Sequence, residues 1–131
     1  MDDEATSPLT IDLVDRQLRL TRQATDWLTS AIARVLAPLA LGCELRIAVV
    51  ADPEMARTHE EYCEVPGTTD VLTFDCSEPT DGPVTTLDVD IVVCIDEAQR
   101  QATARHHTPE RELLLYVVHG VLHCLGYDDH D

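Results

Sequence analysis

The 131-residue chain predicts one α/β domain: a small mixed sheet of about four strands, a helix buried against it and a first helix on another face. Three observations carry this. CELRIAVVA (43–51) and LDVDIVVCI (87–95) alternate apolar and polar residues and then turn wholly apolar, as strands do on entering a sheet covered on both faces. Segments with apolar residues at helical spacing lie between these runs. From Leu113 to Leu125 the sequence is apolar on every side except at two histidines, which predicts a central buried helix.

Composition narrows the class. With 44% hydrophobic residues the chain is long enough for one core, so residues 9–131 read as a single domain behind a loose tail, MDDEATSP (1–8). Twenty-five acidic residues face nine basic ones, all Arg, for a formal charge of −16. That excludes a generic electrostatic grip on nucleic acid; any RNA contact must be local and built from Arg. The five Cys are odd in number, widely spaced and without a CxxC pair, and no apolar leader precedes them. They read as reduced thiols of a soluble cytoplasmic protein, and no apolar run has the length to span a bilayer.

In chain order, Ile11–Val14 is a short alternating strand. Asp15 to Leu39 carries Leu18, Leu20, Trp27, Leu28, Ile32, Val35 and Leu36 at helical spacing, closed by Pro38 and Gly42. After the strand at 43–51, Asp52 and Pro53 supply an N-cap and a first-turn proline for a short polar helix through Tyr62. VPGTTD is turn-rich, VLTF (71–74) is a strand, and CSEPTDGP (76–83) is a loop. Following the strand at 87–95, Asp96 caps a helix with Glu97, Arg100 and Arg105 on its polar face. His106 and His107 lie in a solvated loop. Thr108 and Pro109 open the last helix, Glu110 and Glu112 suit its positive end, and Gly126 ends it in a left-handed cap.

The functional signal is HGVLHCLGYDDHD, His119 to Asp131. His119 and His123, at i and i+4, share one helix face with Cβ atoms about 6 Å apart, so both rings can reach one ion at a Zn–N distance of about 2.0–2.1 Å. A turn and a third donor cluster follow. Gly120 fills the place where the HExxH metallopeptidase pattern carries its glutamate base, which removes that base. Gly120 either leaves room beside the metal or lets the helix pack closely. Thr69 and Asp70, with Thr68, line a cleft at the mouth of the sheet or bond their own backbone at a strand turn.

HGVLHCLGYDDHD resembles the signature of the YbeY family of bacterial metal-dependent endoribonucleases. GTTDVLTF and LDVDIVVCIDEAQRQA resemble that family's two upstream motifs, so the likeness runs over about residues 44–131. It implies an α/β fold with a small central sheet, one zinc ion held by three His, and cleavage of single-stranded RNA. The implied role is 3′-end maturation of small-subunit (16S) ribosomal RNA and ribosome quality control, with ribosomal RNA and the small subunit as partners and no membrane.

The chain departs from the family pattern in three places. The family's third His has five residues between it and the second; that slot here is Asp129, with His130 one place later. Carboxylate is a legitimate zinc ligand, so Asp129 is the expected third ligand and His130 the alternative. The family's Arg before GTTDVLTF, and an Asn four residues ahead of it, are replaced by Cys63 and His59. That removes a bidentate phosphate clamp, for which Arg57 is the candidate substitute. The family continues into a further helix where this sequence ends at Asp131. No general base is identifiable, His59 and Asp128 being the candidates. The competing readings are a metallopeptidase-like hydrolase and a non-catalytic, metal-stabilised ribosome-assembly factor.

Overall fold

In the computed structural model, which describes residues 9–39, 42–78 and 86–126, four strands and four helices follow one another as β1 (Leu9–Asp15), α1 (Arg22–Leu36), β2 (Gly42–Val50), α2 (Asp52–Cys63), β3 (Val71–Asp75), β4 (Thr86–Cys94), α3 (Ile95–Arg105) and α4 (Pro109–Cys124). The strands form one mixed sheet in the order β1-β2-β4-β3, the first three parallel and β3 antiparallel to β4. The α/β class and the four mixed strands are as predicted. The tail at 1–8 lies outside the described residues.

Alternation along the strands sorts the sheet into two unlike faces. Leu45, Ile47 and Val49 of β2 and Val89, Ile91 and Val93 of β4 are buried with Leu28 and Ile32 of α1 and Leu113, Val117 and Val121 of α4. The opposite face carries Asp12, Arg46, Asp90 and Phe74 in one row across β1, β2, β4 and β3. There Arg46 donates to Asp90 at 2.5 Å and to Asp88, and pairs with Glu44 at 3.4 Å. Among the described residues, α2 packs on this face, through Met55 against Val50 and Cys94. Two expectations are therefore corrected: α1 lies on the same face as α4 rather than on another, and among the described residues the second face carries charged side chains and is covered only at its end by one short helix.

Several boundaries move for local reasons. The first helix does not begin at Asp15 but at Arg22, because Thr21 caps it by accepting from the Ala24 amide at 3.0 Å. Before it, β1 runs through Asp15, whose carboxylate accepts from the Leu20 amide at 2.7 Å, and Leu18 takes a left-handed turn at φ 54 with 87% of its surface exposed. The apolar spacing across Leu18 and Leu20 therefore belongs to a turn. Asp96 does not cap its own helix. It accepts instead from the Asp52 amide at 2.8 Å and so caps α2, whose N-cap residue, Ala51, has no side-chain acceptor. Asp52 is thus the first residue of α2 rather than its cap.

α4 opens as predicted, with the Thr108 hydroxyl accepting from the Arg111 amide at 3.3 Å and Pro109 in the first turn. Gly126 has φ +97, the expected left-handed conformation, and donates its amide to the His123 carbonyl at 3.1 Å. The helix is not buried all round, however. Leu113, Tyr116, Val117, Gly120 and Val121 face the core, while Leu115, His119, Leu122 and His123 are exposed. A 16-residue helix against a four-stranded sheet has one side to bury, however apolar its other sides are.

Gly120 explains how closely α4 approaches the sheet. A Cβ at this position would lie 2.7 Å from the Thr73 Oγ1 on β3 and 3.6 Å from the Ile91 Cδ1 on β4. Of the two readings the sequence left open, close packing is the one seen. Gly120→Ala gains about 1 kcal/mol of helix propensity but must displace the Thr73 hydroxyl, at an overpacking cost of about 1–3 kcal/mol. We expect a net loss of up to about 2 kcal/mol in urea unfolding, turning neutral or favourable in a Thr73→Ala background. Equal effects in both backgrounds would refute the contact.

At the carboxyl ends of β2 and β4, Arg100 grips Asp52 through two hydrogen bonds of 2.9 and 3.0 Å and reaches Glu97 at 2.8 Å, while Arg19 reaches Asp96 at 2.8 Å. Arg100 holds the Asp52 carboxyl below its ordinary value of 3.8. The Asp52 amide, then Arg19, do the same for Asp96, and Gln101, then Arg100, for Glu97, whose ordinary value is 4.5. Depressed carboxylates contribute stability that is complete above their unfolded values and is lost as the pH falls through the folded ones. Urea midpoints should therefore begin to fall below about pH 4.5 and drop more steeply below about pH 3.8. Arg100→Gln should lower stability at neutral pH and make that acid loss shallower.

Candidate functional site

His119 and His123 lie one turn apart on the exposed side of α4, on either side in sequence of Gly120 and its contact with Thr73. Thr73, which meets Gly120, is the residue that sequence reasoning missed. Its signal was available, because in VLTF alternation turns Val71 and Thr73 to the face opposite Leu72 and Phe74. Gly126 then redirects the chain after the second His. Asp128, Asp129 and His130 lie outside the described residues.

Two imidazoles at i and i+4 fit a shared ion in donor type and spacing. Among the described residues no group of three or more His, Cys, Asp or Glu side chains could hold a metal ion. A three-ligand site built on the pair would draw its further donor from outside the described residues. Cys124, between the His pair and the turn, is half-buried, and burial first, then the nearby Asp75 carboxylate, pushes its thiol up to about 11.

The other candidates are divided by the sheet. Arg57 is exposed on α2, which packs on the face opposite α4, so the structure does not bring it beside the His pair. His59, also on α2, has its Nδ1 2.9 Å from the Gly67 carbonyl, in the connector leading to β3. Cys63 is exposed at the last residue of α2, and Glu64 follows in a left-handed cap at φ 57. Thr69 and Asp70 are half-buried where that connector enters β3. The Thr69 hydroxyl lies 3.4 Å from the Asp70 carboxylate, and the Asp70 carbonyl accepts from the Cys94 amide at 3.0 Å.

A buried ionic cluster supports α4 one turn and more before His119. Glu112 is 0% exposed, and its carboxylate meets His107 Nε2 at 2.5 Å and Arg105 Nη1 at 3.1 Å. His107 is thus not solvated as expected, since the reversal from α3 to α4 folds it onto Glu112. His106 is exposed, as expected, in a left-handed cap at φ 61. Tyr116, 7% exposed, stands beside this cluster. Burial, then Glu112, raises its hydroxyl well above the ordinary tyrosine value.

On the opposite sheet face a groove of about 1000 Å³ runs between α2 and the strands, its wall including Asp12, Val14, Arg46, Tyr62, Phe74 and Asp90. Its acidic residues, Asp12, Glu54, Glu61 and Asp90, outnumber its two arginines, and both arginines are paired with carboxylates, Arg16 with Glu54 at 3.6 Å. No helix among the described residues is long and apolar enough to cross a membrane.

Comparison with known proteins agrees with this architecture. A family model described as "Endoribonuclease YbeY" matches residues 10–131. The protein of that name from Frankia alni is 44% identical over 93 residues, covering 65% of this chain and 51% of that protein. Its namesake from Renibacterium salmoninarum is 46% identical over 89 residues, covering 63% and 57%. The chain thus spans little more than half the length of these curated relatives. A solution structure of a Thermotoga maritima protein shares the fold with a TM-score of 0.62 at 23% identity, over 93% of this chain and 75% of that one.

Proposed function

The chain belongs to the YbeY family, and from that premise we propose that it is a metal-dependent endoribonuclease cutting single-stranded RNA. Its role on this reading is 3′-end maturation of 16S ribosomal RNA and ribosome quality control, in the cytoplasm and in contact with the small subunit. The observation that carries the reading is the His119-Gly-x-x-His123 helix seated on β3 through Gly120. His119, His123 and Asp129, or His130 in its place, would hold one zinc ion. When bound, such an ion supplies Lewis-acid polarisation of a phosphate oxygen and acidification of water.

The chain's own residues do the rest. α4 fixes the spacing of the two imidazoles, and Thr69 and Asp70 line the approach to the site. Arg57 would contact RNA from the far side of the connector. Gly120 also argues against the metallopeptidase alternative. A glutamate there would begin 2.7 Å from the Thr73 hydroxyl, so the general base of HExxH has no place on this helix.

His119→Ala and His123→Ala should each lose bound zinc and activity together, since each removes one of three protein ligands. Stoichiometric metal in both variants would refute the site. Asp129→Ala should strip the metal and His130→Ala should retain it, the reverse pattern assigning His130. Zinc-loaded protein incubated with single-stranded RNA and with casein tests the activity. We expect RNA to be cut and casein left intact. Casein cleavage alone would select a peptidase, and neither product a non-catalytic assembly factor.

A further inference from the structure

The segment that delivers Thr69 and Asp70 to β3 is pinned from one turn of α2 by two contacts of different kinds. Tyr62 meets Phe74 edge to face at a ring separation of 5.1 Å and 69°, which docks the end of the helix on the strand. Three residues earlier, His59 Nδ1 lies 2.9 Å from the Gly67 carbonyl. A carbonyl only accepts, so Nδ1 must carry the proton, and in the neutral ring Nε2 is then the acceptor. The connector needs such a tie. It leaves α2 through Glu64 at φ 57, turns again at Gly67 with φ +95, and is exposed from Glu64 to Thr68.

We propose that His59 is a positioning residue of the RNA cleft: through the Gly67 carbonyl it holds the connector, and with it Thr69 and Asp70, in place at the start of β3. This deepens the ribonuclease reading and rests on it. It also gives His59 a task other than proton transfer, because the bonded nitrogen is Nδ1 and the bond persists whether or not Nε2 is protonated.

Stereochemistry supplies the test. Asn carries its amide nitrogen at the same number of bonds from Cα as the imidazole Nδ1, so Asn can remake the bond to Gly67, but it cannot transfer a proton near neutrality. In the zinc-loaded chain, His59→Ala should speed amide exchange across residues 67–71 roughly threefold to tenfold. It should raise KM for a single-stranded oligoribonucleotide by a similar factor, about threefold to tenfold, with kcat within about twofold. His59→Asn should restore both. In the wild type, the ¹⁵N spectrum of the neutral His59 ring should show a protonated Nδ1 and a bare Nε2.

Two results would overturn the proposal. One is exchange unchanged in His59→Ala; the other is a fall in kcat that Asn fails to rescue and that removes a limb of the pH profile, which would make His59 a proton-transfer residue. A wild type that leaves RNA intact would refute the ribonuclease reading instead. The exchange rates and the ring tautomer would then still decide whether His59 is the tie.

Discussion

The contact between Gly120 and Thr73 is the constraint on which the rest of this structure depends. Any side chain at 120 must displace the Thr73 hydroxyl or lift α4 off β3, because that hydroxyl stands where a Cβ would begin. Lifting the helix would open the core, since Val117 and Val121, on either side of Gly120, fill the space above β4. It would also move the two exposed imidazoles relative to the connector that carries Thr69 and Asp70. Fold and candidate site thus share one van der Waals contact. A glycine inside a helix costs about 1 kcal/mol of propensity, and that cost is offset by the packing it permits.

Charge is organised around the same frame. The protein has nine arginines for 25 acidic residues, and several are committed to internal carboxylates: Arg46 to Glu44, Asp88 and Asp90, Arg100 to Asp52 and Glu97, Arg19 to Asp96, and Arg105 to Glu112. These pairs tie strand ends to helix starts and close the α3–α4 corner. They leave little positive charge free, so long-range attraction to a phosphate backbone is weak. The acidic groove on the charged sheet face fits the same economy of positive charge.

Much of the site was legible because it is local in sequence. The i, i+4 histidines, the Thr108 and Pro109 opening of α4, and the left-handed Gly126 depend on residues within one or two turns, so their spacing alone predicts their geometry. The strands at 42–50 and 86–94 were legible for a similar reason, since alternation followed by a fully apolar end is a local pattern. What was misread involved distant partners. Asp96 looked like the cap of its own helix and instead caps α2, 44 residues away. His107 looked solvated and is folded onto a fully buried carboxylate. Leu18 fitted a helical period and stands exposed in a turn, because Asp15 and Thr21 satisfy backbone amides that a continuous helix would have bonded itself.

By itself, then, the sequence determined the α/β class, the four strands, the helix that bears the histidines and the family to which the chain belongs, all of which rest on hydrophobic period and short motifs. Only the tertiary structure decided that α1 and α4 share one sheet face while the other carries charged side chains, that α4 buries a single side, that Gly120 serves packing, and that α2 with Arg57 and His59 lies across the sheet from the His pair while His59 reaches round to Gly67. The reason is physical: period and spacing specify which side of an element is apolar, but which element meets that side, and how closely, depends on non-local contacts whose strength no single segment carries.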